Sequence, residues 1–208
     1  MDTVWLAPYM GLLLFAFTMA VTPGPNNVLL MASGVNVGIK RSLPMFAGIV
    51  LGFPAMVLLL GLGFSAIFHQ YPWLHGVIRW LGLAYLLYLA WLIATAPVKE
   101  IEAKDKPRIG FRKAALFQWV NGKAWIMATG AIATYSQPQL SVTQQAGVFA
   151  LIFFITAIPS ALIWLVFGSG LRHLLKHPKH HFYFNQAMAL LLILSLAPII
   201  LDAVKSLS

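Results

Sequence analysis

The sequence predicts an all-α polytopic membrane protein: six transmembrane helices in two inverted three-helix repeats, with the first and fourth helices broken. Three observations lead there. Of 208 residues, 60% are hydrophobic and only 9% charged, with a mean hydropathy of +0.82; soluble domains are about half apolar and a quarter charged. The apolar residues fall into six long continuous runs, each near the roughly 20 residues that cross a hydrocarbon core as a helix. The basic residues, which bring the net charge to +9, sit mainly in the links between runs rather than on one polar face, which excludes a nucleic-acid interface.

The runs follow in order. The first extends from about Val4 to Val35, the second from Leu43 to Phe68, the third from His75 to Thr95. The fourth extends from Phe111 to Tyr135, the fifth from Ala146 to Leu171, the sixth from Phe184 to Val204. Lipid offers nothing to bare backbone groups, so each run is expected to be helical; the runs are too long and too continuous for barrel strands. Together they make one transport domain over residues 1–208. Repeat one covers about 1–98, a cytoplasmic loop about 97–113, and repeat two about 111–208. The N-terminal "MDTVW" lacks the basic region of a signal peptide, so the first run is expected to stay in the mature protein.

The links set the orientation. Lys40 and Arg41 follow run one. Lys99, Lys104, Lys106, Arg108, Arg112 and Lys113 follow run three, and Arg172, Lys176 and Lys179 follow run five. The links around Gln70 and Gln137 carry no Lys or Arg. The positive-inside rule puts the basic links in the cytoplasm and both termini outside. Trp5, Tyr9, Tyr71, Trp73, Trp91, Tyr135 and Tyr183 fall near run ends, as interfacial anchors do. Gly48 and Gly52 form a small-xxx-small pattern that allows close helix approach. Arg79 reads as snorkelling to the outer face, and Tyr85 and Tyr88 as packing.

Two runs are interrupted in corresponding places. "VTPGPNN", residues 21–27, lies midway along run one. Pro23 and Pro25 lack an N–H and clash with the preceding turn, and Gly24 tolerates unusual dihedrals. The break frees carbonyls at Met19 to Val21 and N–H groups near Asn26 and Asn27. Irregular backbone at membrane depth survives only where it is buried or lines a wet cavity. Run four is interrupted by "QWVNGKAW", residues 118–125. There Lys123, which costs on the order of 3 kcal/mol in a bilayer, is expected to face the interior. Pro54 and Pro159 lie inside runs two and five. Three crossings per half force the halves into opposite orientation, and paired broken helices in inverted halves point to a transport site.

"TPGPNN" at 22–27, the small-residue second helix, "LGLAYLLYLAW" at 81–91 and "QWVNGKAW" together resemble the LysE/RhtB family of amino-acid exporters, in the family's order and over nearly the whole chain. The family's usual Asn-Pro-Lys-Ala has proline where this chain has Gly122. The resemblance implies a bacterial inner-membrane carrier that exports amino acids or derivatives, driven by the proton-motive force.

The residues themselves narrow the chemistry. No Asp or Glu lies deep in a run, and a cationic solute would want a buried counter-ion, so a neutral or zwitterionic substrate is expected. Its carboxylate suits Lys123 and the N-terminus of the half-helix after Pro25; the amides of Asn26, Asn27 and Asn121 suit either of its charged ends. The candidate substrate site is therefore Thr22, Pro23, Gly24, Pro25, Asn26, Asn27, Asn121 and Lys123, although Thr22 can also bond a carbonyl one turn back. No buried carboxylate offers a proton path, so coupling, exchange and facilitated diffusion stay open. The partners expected are an amino-acid solute and the lipid bilayer, not nucleic acid; a homodimer is a form many small carriers take. No cofactor, metal or catalytic residue is expected. The alternatives are a carrier of another small solute or metal ion, and a six-helix membrane enzyme. The apolar runs lack the clustered oxygen and imidazole ligands an ion needs. The enzyme would need a Gly-x-Ser-Gly serine with a helical His, or paired cysteines; "FGSG" at 167–170 is not that pattern, and the chain has no cysteine. The histidines of "RHLLKHPKHH", His173 to His181, read as a solvated basic loop.

Overall fold

The computed structural model describes residues 7–64, 70–71, 73–96, 109–137, 140–175 and 177–194. Among them the chain is helical throughout, with short connections and no strand. Helix α1 spans Ala7–Val21, and α2 spans Pro25–Leu59 and runs into a π-helical turn at Leu60–Phe64. Helix α3 spans Trp73–Ala94. Helix α4 spans Phe111–Phe117 and tightens into a 3₁₀ turn at Gln118–Val120; α5 spans Gly122–Tyr135, α6 Val142–Leu174 and α7 Pro178–Leu194. Pro25–Gly63 and Val142–Arg172 are each long and apolar enough to cross a bilayer by length and composition. Large apolar side chains are exposed on their outer surfaces, among them Leu51 at 49% and Ile163 at 51%, as lipid contact requires.

Both predicted interruptions are present. Run one stops at Val21 and restarts at Pro25, and run four stops at Val120 and restarts at Gly122. The link predicted between runs one and two is present, contracted to a kink between two helical stretches. Lys40 and Arg41 lie within α2, and the direction changes at one residue, Gly38, with φ 77° and ψ 173°, a conformation open to glycine. The histidine-rich segment differs. Much of it is helical: α6 continues to Leu174, and α7 starts at Pro178, a residue suited to the first helical position. His180 and His181 then fall in its first turns, and His181 reaches inward to Asn36 Oδ1 at 3.2 Å. Burial and the charge of Arg172 hold the His181 imidazole below its ordinary pKa. The termini, including Asp2, Trp5 and Asp202, lie outside the described residues, as do residues 97–108, Lys176 and the side chains of Arg79 and His173.

The Gly48–Gly52 pattern works as close packing. A Cβ on Gly48 would meet Phe111 O and the Ala114 side chain, and one on Gly52 would lie 2.7 Å from Ala115 Cα. The second half of α2 therefore lies directly against α4. Two apolar clusters result. One joins α2, α3, α4, α6 and α7 around Leu30, Met45, Leu89 and Leu165. The other joins α1, α5, α6 and the end of α2 around Leu12, Met56, Ala128 and Phe153. Both helix breaks fall near the seam between the clusters.

Candidate functional site

The first break begins with chemistry. Prolines 23 and 25 cannot donate to the ladder, so α1 ends at Val21, and Pro25 occupies the first position of α2, where its missing N–H is harmless. Gly24 between them is extended, with φ −169° and ψ 176°. Ending a helix leaves its last carbonyls without intrahelical donors. Side chains from three elements meet them. Thr22 Oγ1 donates to Met19 O at 2.8 Å. Asn27 Nδ2 donates to Ala20 O and to Thr22 O, each at 2.8 Å. From α6, Ser160 Oγ donates to Ala20 O at 2.7 Å and Trp164 Nε1 to Val21 O at 3.1 Å.

Lys123 supplies the remaining donors. Its Nζ donates to Thr22 O at 2.7 Å, Thr22 Oγ1 at 2.8 Å and Pro23 O at 3.3 Å. An ammonium has three hydrogens, so all are engaged on the negative end of α1, a placement the helix dipole favours. The side chain lies across Gly24, where a Cβ would come within 2.7 Å of Lys123 Cδ and 3.0 Å of Nζ. Gly24 is thus needed for room: it lets the lysine reach the carbonyls.

The second break is closed locally. The 3₁₀ turn lets Asn121 N donate to Gln118 O at 3.3 Å. Asn121 turns extended and caps α5, its Oδ1 accepting from Lys123 N at 3.2 Å. Trp125 Nε1 donates back to Trp119 O at 2.8 Å. The two breaks also touch through a reciprocal amide pair: Asn26 Nδ2 donates to Gln118 Oε1 at 2.9 Å, and Gln118 Nε2 to Asn26 Oδ1 at 3.0 Å.

Around these groups lies a small, partly open cavity of about 50 Å³. Gly24, Pro25, Asn26, Asn27, Asn121 and Lys123 line it on the polar side. Met19, Ile49, Phe53, Met127 and Phe153 form apolar walls drawn from both clusters. Thr22 and Pro23 are exposed and do not line it; they serve as acceptors for Lys123. Ser160 lines the cavity as well, and neither it nor Gln118 or Trp164 was among the residues singled out from sequence. Gln118 opens the "QWVNGKAW" string, and Ser160 follows Pro159; a polar residue inside an apolar run, or beside a proline in one, is the signal that could have found them.

Two helices come apart beside one cavity, inside a bundle apolar within and without, an arrangement in which solute carriers bind their cargo. The chain belongs to the LysE family: the family described as LysE type translocator matches residues 17–197. A cysteine/O-acetylserine efflux protein of Salmonella typhimurium (strain LT2) is 32% identical over 177 residues, covering 84% of this chain and 88% of that protein. One of the same name from Escherichia coli O1:K1 is 34% identical over 176 residues, with the same coverage. No solved structure matches the chain.

Proposed function

We propose that this protein is a secondary transporter of the bacterial inner membrane. It exports small amino acids or close derivatives that are zwitterionic and carry an uncharged side chain. One observation carries the reading: the Lys123 ammonium rests on backbone carbonyls of the first break, at the edge of a cavity lined by both breaks. A solute carboxylate offers that ammonium a charge-assisted bond, roughly twice as strong as one to a neutral carbonyl. The N-terminus of α2 behind Asn26, to which no side chain adds a cap, favours the same negative group. The solute's ammonium is left the carbonyl end of α1, which Lys123 vacates. Among the described residues no carboxylate lines the cavity, so a cationic side chain finds no counter-ion there, while Met19, Phe53, Met127 and Phe153 suit a short apolar or thiol-bearing one. The solutes named for the relatives, cysteine and O-acetylserine, fit that description.

The reading includes two inverted halves. Support comes from the reciprocity of the breaks. Lys123, second residue of α5, reaches back to the residues before Gly24; Asn26, second residue of α2, reaches back to Gln118 before Asn121. It also includes coupling to the proton-motive force, for which Lys123 is the one ionisable residue lining the cavity among the described residues. The test is uptake of labelled cysteine, O-acetylserine, serine, leucine and lysine into inside-out vesicles, with and without a pH gradient. Uptake is expected for the small neutral solutes, stimulated by the gradient, and not for lysine. Lys123→Met is expected to reduce uptake to background with normal membrane insertion. Wild-type transport by that variant overturns the carboxylate assignment, and preferred uptake of lysine overturns the substrate class.

A further inference from the structure

Gln118 is fully buried, at 0% exposure, and it does not line the cavity. A buried amide must find partners for its donors and acceptor. One of its polar atoms lies 2.9 Å from Ala114 O, which can only accept, so that atom is the nitrogen, and the amide's orientation follows. The nitrogen has two hydrogens: one goes to Ala114 O, one turn back on α4, the other to Asn26 Oδ1 at 3.0 Å. The amide oxygen accepts from Asn26 Nδ2 at 2.9 Å. The backbone of α4 therefore dictates which way Gln118 faces, and Gln118 dictates which way Asn26 faces. A flipped Asn26 would set nitrogen against nitrogen and oxygen against oxygen. Asn26 itself does line the cavity. Its second amide hydrogen has no acceptor among the described residues.

We propose that Gln118 is a positioning residue of the transport site. It holds the Asn26 amide in the one orientation that leaves an N–H free for the carboxylate of an amino-acid solute, without touching the solute itself. The inference rests on reading the cavity as the transport site. It assigns the first polar residue of the second break to the working of the first, although the two are 92 positions apart in sequence.

The test is the concentration dependence of O-acetylserine uptake by inside-out vesicles. Gln118→Leu frees Asn26 to rotate and is expected to raise KM about tenfold, the scale of one hydrogen bond to a charged group, with the maximal rate within about twofold. Asn26→Ala is expected to raise KM by a similar factor. The double variant is expected to be no worse than Asn26→Ala alone, because a residue that acts only through Asn26 has nothing left to position. Gln118→Glu, which keeps the shape and still accepts from Asn26 Nδ2 but cannot donate to Asn26 Oδ1 or Ala114 O, is expected to raise KM by less; it serves where the leucine variant fails to insert. A wild-type KM in either Gln118 variant overturns the proposal. So do additive KM effects in the double variant, or a fall in maximal rate at unchanged KM. Wild-type vesicles that take up no solute of the panel overturn the site reading and this inference together, whereas transport with additive variants overturns this inference alone.

Discussion

The two breaks solve the same problem in different ways. Proline at positions 23 and 25 makes the first, and the carbonyls it strands are collected by side chains of α2, α5 and α6: Asn27, Lys123, Ser160 and Trp164. The second contains no proline. It narrows into a 3₁₀ turn, which satisfies backbone groups within the segment, and Asn121 caps the helix that follows. One break is held from outside, the other mostly by itself. A helix end held by distant side chains changes its bonding whenever those elements move, so the first break is built to respond to rearrangement of the bundle. The second is a stiff bracket that carries Lys123 to it.

That contrast predicts unequal costs. Asn27→Leu removes two hydrogen bonds, to Ala20 O and Thr22 O, from residues beside the cavity. At about 1 kcal/mol net per bond the loss is roughly 2 kcal/mol, or about 4–8 °C in the melting temperature of a protein this size, and uptake is expected to fall with it. The matching cut at the second break, Asn121→Ala, removes one cap, worth about 1 kcal/mol. Melting of the purified variants in detergent compares them directly. An Asn121→Ala shift as large as that of Asn27→Leu breaks the distinction; a larger gap sharpens it.

Much of this was legible in the sequence, because the bilayer restricts what an apolar run can be. Run four is predicted from Phe111 to Tyr135, and α4, the 3₁₀ turn and α5 fill that span. Both breaks announce themselves through residues whose backbone chemistry is local: proline lacking an N–H, asparagine beside glycine. What the sequence concealed depends on partners far away along the chain. Asn27 lines the cavity, and both its amide hydrogens go to the end of α1, a role that residues 21–27 alone do not display. The capping of that end by Ser160 and Trp164 depends on how α6 docks, and so does not show in residues 21–27. The corner at Gly38 falls in the link expected between runs one and two, but the charges that mark that link, Lys40 and Arg41, belong to the helical stretch after the kink. His181 was assigned to solvent because a basic segment reads as wet until packing brings Asn36 and Asn185 beside it.

The smallest expected effect bears most directly on the claim that the second break needs no proline. Gly122 stands at the first position of α5, behind an Asn121 that is already extended at φ −86° and ψ 103°. A residue preceding proline favours that extended region, and proline is at home at the first helical position. The hydrogen bonds that close this break come from Asn121, Lys123, Ala124 and Trp125, not from the Gly122 N–H. Gly122→Pro is therefore expected to fold, to transport at a rate within about twofold of wild type, and to gain about 0.4–1 kcal/mol by restricting the unfolded chain. A variant that loses transport while still inserting shows that Gly122 must flex during the cycle; the second break is then a hinge, and the division between a responsive break and a stiff bracket fails.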